Sequence, residues 1–300
     1  MHRFFLAGDP GDTGEATVQQ GVQYPAGGGE AAAVGEPALA PGQVAVLVGS
    51  DAQHIARVLR LRPGDRIVLC DGRGFDYAAE LVSVDPARVA ARVLSSAPSR
   101  GEPPLFLILV QGIPKGDKMD LVVQKAVEVG VSRIIPVLAA RTVVAWDAAK
   151  AEARRRRWQR IAYEAAKQAQ RGRVPTVAPV TSLSDLLASA APGAGGDLGQ
   201  IIVPWEAARD AGLRDVLRGV PPPGPVTVII GPEGGLEAGE VALAQARGAH
   251  TVTLGPRVLR TETAGLVAAS VILYEWGDLG GSERDAGDGA GTAPHRVPAD

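Results

Sequence analysis

The chain has 300 residues, of which 46% are hydrophobic and only 4% aromatic, and it carries a formal net charge of −2. This length accommodates one or two domains with cores of their own. A single cysteine, Cys70, excludes an intramolecular disulfide and a cysteine-based zinc cluster, which fits a reducing compartment. No apolar stretch suits a signal peptide or a membrane span, so we expect a cytoplasmic protein without a membrane partner.

Two stretches of the chain, residues 9–42 and 280–300, are rich in Gly, Ala and Pro and have neither a helical nor a strand period. We predict that the first is a disordered insertion and the second a disordered tail. Both are acidic, and the rest of the chain is therefore mildly basic. That balance permits a nucleic-acid partner without being evidence for one.

The first block, residues 1–98, consists of short strand-like runs separated by turns. It predicts a small β-barrel of five or six strands, interrupted by one helix around "DAQHIARVLR". Small barrels of this kind are frequent RNA-binding modules, although this argument rests on fold analogy. The strand-like runs are "RFFL", "VAVLVG", "DRIVLCDG", "DYAAELVSV" and "RVAARVLS".

The second block, residues 103–279, alternates buried strands with helices. Such alternation predicts an α/β fold with a parallel sheet covered by helices on both faces. Ligands of these sheets bind beyond the carboxyl ends of the strands. The predicted helices span residues 117–129, 149–171, 182–190, 207–218, 237–247 and 262–276.

Two loops in this block follow strands and are built alike. "VTVIIGPEGG" ends in a Gly-rich turn that matches neither GxGxxG nor the P-loop, so a phosphate-binding role is disfavoured. Its glycines would instead let a flat ligand approach the backbone, although a tight turn without a ligand is an alternative. "TVTLGPRVLR" is likewise a strand followed by a loop with a glycine. We expect the two loops to lie at adjacent strand ends and to form two walls of one pocket.

A helix start follows the second loop at "TETAGLVAASVILYEW". Thr261 suits the N-cap position and Glu262 suits the first turn. Arg260 would then stand at the mouth of the pocket. The alternative is that Arg260 only pairs with Glu262 or Glu233.

The segment "RRRRWQRIAYEAAKQAQR" predicts an amphipathic helix with a packing stripe that includes Trp158 and Ala162. The opposite stripe is basic and suits RNA phosphates, or else is merely solvated. Lys115 and Lys118 in "QGIPKGDKMD" leave the same two alternatives, and no spacing suggests a metal site. The opposite stripe comprises Arg156, Arg160, Tyr163, Lys167 and Arg171, and Arg173 follows in the next loop.

Five segments in order, "HIARVLRLRPGD", "KGDKMDLVVQKAVEVGVSRIIPV", "RWQRIAYEAAKQAQRGRVP", "GPEGGLEAGEV" and "LGPRVLRTETAGLVAA", resemble the ribosomal RNA small-subunit methyltransferase E family. The resemblance covers about residues 2–8 and 43–278. It implies a PUA-like β-barrel in residues 1–98 and, in residues 103–279, a SPOUT-type α/β domain with a deep C-terminal trefoil knot. It also implies a homodimer that uses S-adenosylmethionine to methylate N3 of one uridine in the 16S rRNA of the small ribosomal subunit.

The resemblance also assigns roles to individual residues. Arg260 would hold the uridine as an anion, because a guanidinium stays charged, and Glu262 would orient Arg260 or a water. A non-catalytic RNA-binding protein, or a SPOUT methyltransferase acting on another RNA position, remains the alternative. The cofactor-binding residues would be Ile230, Gly231, Pro232, Gly234, Gly235, Leu254, Gly255, Val258, Leu259 and Thr263, and the RNA-binding residues Arg3, Arg57, Arg60, Lys115, Lys118, Arg160, Lys167, Arg171 and Arg173.

Overall fold

The structure is a computed structural model, which describes residues 2–6, 37–144, 146–190, 197–209, 211–219, 221 and 224–281. Residues 9–36 and 282–300, most of the two stretches expected to be disordered, lie outside the described residues. The end of the first stretch, residues 37–42, is part of the fold. There Leu39 is buried in the core of the first block, and the Ala38 N–H donates to the Tyr77 hydroxyl at 2.8 Å. The prediction of disorder is therefore wrong for residues 37–42.

The first block forms a five-stranded sheet in the order β1-β3-β4-β5-β2. β1 runs parallel to β3, and the other neighbours are antiparallel. Register shifts between β4 and β5 mark bulges, which bend a sheet and increase its twist. The strands are β1 (Arg3–Phe5), β2 (Val44–Val48), β3 (Arg66–Cys70), β4 (Phe75–Asp85) and β5 (Arg88–Pro98), as the alternation of apolar residues predicted.

The helix predicted between β2 and β3 is present but irregular. It consists of α1 (Gly49–Gln53) followed by a π-helical turn, His54–Val58. Two residues later, Arg60 has a φ of 53°, in the left-handed region that side-chain-bearing residues rarely adopt. Arg57 and Arg60 are both exposed on this segment.

The second block forms a parallel sheet in the order β12-β10-β11-β6-β7-β8, with β9 also paired to β7. Its strands are β6 (Leu107–Gly112), β7 (Arg133–Leu138), β8 (Thr176–Val177), β9 (Thr181–Ser182), β10 (Gln200–Pro204), β11 (Val226–Ile230) and β12 (His250–Val252). Its helices are α2 (Lys118–Val129), α3 (Ala148–Gln168), α4 (Leu183–Ser189), α5 (Leu213–Leu217), α6 (Ala238–Ala246) and α7 (Thr261–Trp276).

Helices cover both faces of this sheet, as predicted. Successive residues of a strand point to opposite faces, and β6 shows the consequence. Leu107 and Leu109 belong to a core shared with α2, α3 and α7, whereas Ile108 and Val110 belong to a core shared with α4 and α6. The mixed α/β class is therefore confirmed, and the trefoil knot stays a prediction.

Two expectations about this block are wrong. The helix predicted for residues 207–218 is reduced to α5, Leu213–Leu217. The strands that precede the two Gly-rich loops, β11 and β12, are not neighbours, because β10 lies between them. The carboxyl end of β10 therefore opens between the two loops.

The first block packs against α3, which changes the face that was predicted to be basic. Tyr163 is buried, with its ring 5.4 Å from that of Phe5 in β1. Lys167 Nζ lies 2.8 Å from the buried carboxylate of Asp51 in α1. The assignment of Tyr163 to a solvent-facing stripe is wrong, because α3 packs on two sides rather than one.

Candidate active site

A cavity of about 870 Å³ opens at the carboxyl ends of β10, β11 and β12. The two Gly-rich loops contribute walls to it, as the sequence predicted. Arg260 and Glu262, the two residues predicted to be catalytic, line the same cavity. Gly234 and Thr263 do not line it. The predicted cofactor residues that do are Ile230, Gly231, Pro232, Gly235, Leu254, Gly255, Val258 and Leu259.

The loop after β11 is closed tightly on itself. A Cβ at Gly231 would lie 2.8 Å from the carbonyl carbon of Gly235, which is closer than real Cβ atoms approach. Gly235 has a φ of 72° and donates its N–H to the Pro232 carbonyl at 2.9 Å. This compact turn brings the backbone of Gly231 and Gly235 to the cavity wall, which suits a flat ligand.

A buried hydrogen-bond chain joins this loop to α7. The Gln111 amide at the end of β6 donates to Thr261 Oγ1 at 2.8 Å, and Thr261 Oγ1 donates to the Gly231 carbonyl at 2.6 Å. The N-cap of α7 is Arg260, whose backbone is extended, and Thr261 is the first residue of the helix. The prediction of Thr261 as the N-cap is therefore wrong by one residue. Gln111 was not identified from the sequence. It could have been recognised as the polar residue near the end of an otherwise apolar strand.

Charged side chains line one side of the cavity and interact with one another. Lys118 Nζ lies 2.9 Å from Glu233 and 3.6 Å from Glu262. The hydrogen bond to Glu233 raises the pKa of Lys118. Burial opposes ionisation of Glu233, but hydrogen bonds from Lys118 and from the Lys115 N–H outweigh it and lower the pKa of Glu233. Both groups are therefore charged at neutral pH.

Arg260 stands at the mouth of the cavity. Its side chain is 82% exposed, and its Nη1 lies 4.0 Å from Glu262, whose own side chain is 15% exposed. The arginine thus remains accessible to a ligand, whereas the Glu262 carboxylate lies between Arg260 and Lys118 without hydrogen-bonding to either. Glu262 occupies the first turn of α7, where the helix dipole favours a negative charge.

A third wall comes from the residues after β10 and was not predicted. Trp205, Glu206, Ala208 and Arg209 all line the cavity. They reach it because β10 lies between the strands that carry the two Gly-rich loops. The sequence did contain a signal for this wall. The apolar run "QIIVPW" predicts a strand, and the residues that follow any strand of such a sheet are candidates for the ligand site.

Some of the basic residues assigned to RNA are engaged within the protein. Arg3 is paired with Asp76 and hydrogen-bonded to Ser99, and Arg173 donates to the Arg73 carbonyl. Lys167 is paired with Asp51, and Lys118 with the two cavity glutamates, as described above. The cations assigned to RNA that are exposed on the surface are Arg57, Arg60, Lys115 and Arg160.

Arg171 has a different environment from the one the sequence suggested. Its side chain is only 3% exposed, and its Nη2 lies 2.9 Å from Glu102. Its Nη1 donates to the backbone carbonyls of Val127 and Val131. A phosphate of bound RNA cannot reach a guanidinium buried in this way, so the assignment of Arg171 to RNA is withdrawn.

Within the described ranges, no group of three His, Cys, Asp or Glu side chains is arranged to hold a metal ion. None of the described helices is both long and apolar enough to cross a membrane.

The two blocks match the two domains of a class of RNA methyltransferases. Residues 101–273 match the model of the RNA methyltransferase domain, and residues 47–94 match that of the RNA methyltransferase PUA domain. The ribosomal RNA small subunit methyltransferase E of Bacillus subtilis is 36% identical over 76% of this chain and 89% of its own length. The protein of the same name from Mycobacterium bovis is 34% identical over 77% of this chain and 86% of its own length. The chain belongs to the ribosomal RNA small subunit methyltransferase E family.

Solved structures agree with this assignment. The Neisseria gonorrhoeae ribosomal RNA small subunit methyltransferase E, bound to S-adenosylmethionine, aligns with a TM-score of 0.72 at 32% identity, over 93% of this chain and 99% of that one. A Legionella pneumophila structure, in complex with the same cofactor, aligns with a TM-score of 0.67 at 34% identity, over 81% and 96%.

Proposed function

We propose that this protein transfers the methyl group of S-adenosylmethionine to N3 of a uridine in the 16S rRNA of the small ribosomal subunit, in the cytoplasm. The observation that carries the proposal is that the two Gly-rich loops and the start of α7 converge on one cavity. Membership of the family supports the rRNA substrate, and the cofactor of the relatives from Neisseria and Legionella supports the methyl donor.

The cavity fits this cofactor in its chemistry. The missing side chain of Gly235 leaves the cavity open between this loop and the residues after β10, so the cofactor would contact the loop backbone closely. Leu254 and Leu259 supply apolar surface from the opposite wall. When bound, the cofactor supplies an electrophilic methyl group attached to a positively charged sulfur.

The reaction requires N3 of uracil to lose its proton, and Arg260 is suited to hold the resulting anion. A guanidinium keeps its charge and donates hydrogen bonds in a fixed fork. Arg260 is exposed at the cavity mouth, where a base enters, and Glu262 limits its orientation from 4.0 Å away. Lys118 in turn holds Glu262 and Glu233, so we assign Lys118 to the site rather than to distant phosphates.

RNA binding would be shared between the two blocks. Arg57 and Arg60 lie on the first block, and Lys115 and Arg160 on the second, and all four are exposed. The target base would leave its stack to reach the cavity, as is usual for enzymes that modify bases. In a homodimer, the first blocks of both subunits would contact the same RNA. A trefoil knot would enclose the cofactor loops.

The test is transfer of labelled methyl from S-adenosylmethionine to small ribosomal subunits that lack this modification, followed by nucleoside mass spectrometry. We expect labelled 3-methyluridine from the wild-type protein. Label in another nucleoside would assign a different RNA position, and cofactor binding without transfer would refute the rRNA substrate. Absence of both transfer and cofactor binding would favour a non-catalytic RNA-binding protein.

The role of Arg260 has its own test in the same assay. We expect Arg260→Ala to lower kcat by about 100-fold or more, the usual cost of losing one group that stabilises developing charge. Arg260→Lys keeps the charge but not the fork and should recover only part of the loss. Unfolding midpoints provide the control, because an 82% exposed side chain contributes little to stability. Unchanged turnover in Arg260→Ala would remove this residue from the mechanism.

A further inference from the structure

Glu206 lies on the third wall of the cavity, between the two Gly-rich loops. It follows β10 by two residues, and its carboxylate faces the loop after β11. An ideal Cβ built at Gly235 would lie 3.3 Å from Glu206 Oε1 and 3.5 Å from Oε2. The missing side chain of Gly235 therefore leaves this carboxylate room beside the cofactor loop.

The cavity contains three carboxylates, and Glu206 differs from the other two. Glu233 and Glu262 share the Lys118 ammonium. In the described part of the chain, no side-chain cation or hydrogen-bond donor pairs with the Glu206 carboxylate. The nearby Arg209 does not do so, because its Nη1 donates to the main-chain carbonyls of Glu206 and Ala208.

An unpaired carboxylate in a ligand cavity favours a cationic ligand. The methyl donor assigned above carries a positive charge on its sulfur, and the product of transfer, S-adenosylhomocysteine, carries none there. The two ligands are otherwise nearly identical in shape. A carboxylate that interacts with the sulfonium would therefore distinguish them by charge.

We propose that Glu206 is a specificity-determining residue that favours the sulfonium-bearing donor over the neutral product. This inference rests on the proposed function and adds to it a means of releasing the product. Loss of the sulfonium charge on methyl transfer removes the attraction, so the spent cofactor is held less tightly than the fresh one.

The experiment is isothermal titration calorimetry of full-length wild-type and Glu206→Gln protein with three ligands. S-adenosylmethionine carries a positive charge on its sulfur and sinefungin carries one on an amino group in the position of the methyl group, whereas S-adenosylhomocysteine has no charge there. We expect Glu206→Gln to weaken the first two by about fivefold to tenfold, the size of one partly screened charge interaction, and to change the third by less than about twofold. Glu164→Gln, which alters an exposed carboxylate on α3, is the matched control and should change none of them.

An equal loss for all three ligands would overturn the proposal, since it would mean that Glu206 contacts a part they share, such as the ribose hydroxyls. Unchanged affinities for all three would overturn it as well. Failure of the cofactor assignment on which the inference rests would look different, because the wild-type protein would then bind none of the three, and failure of the rRNA assignment alone would leave all three affinities as predicted. Raising the NaCl concentration should shrink the difference between wild type and Glu206→Gln for the charged ligands.

Discussion

The Arg171 guanidinium joins segments that are distant in the chain. It pairs with Glu102, which also accepts the Arg173 N–H, and it donates to the carbonyls of Val127 in α2 and Val131 just after that helix. Removing one partner of a buried ion pair leaves an uncompensated charge, which costs about 3–5 kcal/mol. We therefore expect Arg171→Met to lower the free energy of unfolding by about 3 kcal/mol or more in a urea titration.

The control for this substitution is Arg156→Met, in α3. The Arg156 side chain is 71% exposed and pairs with Glu152 only along the helix surface. Such pairs contribute a few tenths of a kcal/mol, so this variant should unfold near the wild-type midpoint. Equal stability of the two variants would contradict a structural role for Arg171.

Among elements, the buried chain from Gln111 through Thr261 to Gly231 ties β6, α7 and the loop after β11 together. It sets the start of α7, and hence Arg260, relative to the cofactor loop. Thr261→Val keeps the shape of the side chain but removes the hydroxyl. We expect it to weaken S-adenosylmethionine binding by about tenfold in calorimetry, because two buried hydrogen bonds are lost.

Thr261→Ser retains the hydroxyl and should restore most of this affinity. If Thr261 contributed only packing, Thr261→Ser would instead bind the cofactor more weakly than Thr261→Val. The kinetic signature also separates the two explanations. If the hydrogen-bond chain positions Arg260 as well as the loop, Thr261→Val will lower kcat in addition to raising KM. A normal kcat with saturating cofactor would limit its role to the cofactor loop.

The same elements show how far the sequence alone leads. α2, α6 and α7 begin and end within a residue or two of their predicted bounds, because a glycine closely follows the last residue of each one. The predicted helix over 207–218 failed for a tertiary reason. Residues 211–213 extend along the end of β12, with the Thr253 N–H donating to the Ala211 carbonyl and the Leu213 N–H donating to Thr253. Pairing with a distant segment thus overrode local helix propensity.

Strand order explains what was missed at the site. The sequence identified two walls of the cavity, because both are Gly-rich loops behind apolar runs. It could not identify the third wall, since chain order does not reveal that β10 lies between β11 and β12. Glu206 therefore had no motif to mark it, and its relation to Gly235 exists only in the folded chain.

For the whole molecule, α7 suggests how two copies would associate. Ala268 and Ile272 are buried against the sheet, yet Val271 and Tyr274 are 39% and 68% exposed on the same helix. A helix with apolar residues on its outer side is typical of an interface. Because α7 begins at Thr261, directly after Arg260 in the cavity, an interface along it would connect association of the subunits to the active site.

We expect the full-length protein to be a dimer in size-exclusion chromatography with light scattering, as the family resemblance implies. Tyr274→Glu would place a charge in the interface and should raise the dissociation constant of the dimer by at least about tenfold, since burying an unpaired charge is costly. Leu243→Glu, at a 48% exposed apolar position on α6, is the control and should leave the dimer intact. A monomeric wild-type protein, or a Tyr274→Glu dimer as stable as the control, would exclude association through α7. If the dimer is required for activity, methyl transfer by Tyr274→Glu should recover at protein concentrations that restore association.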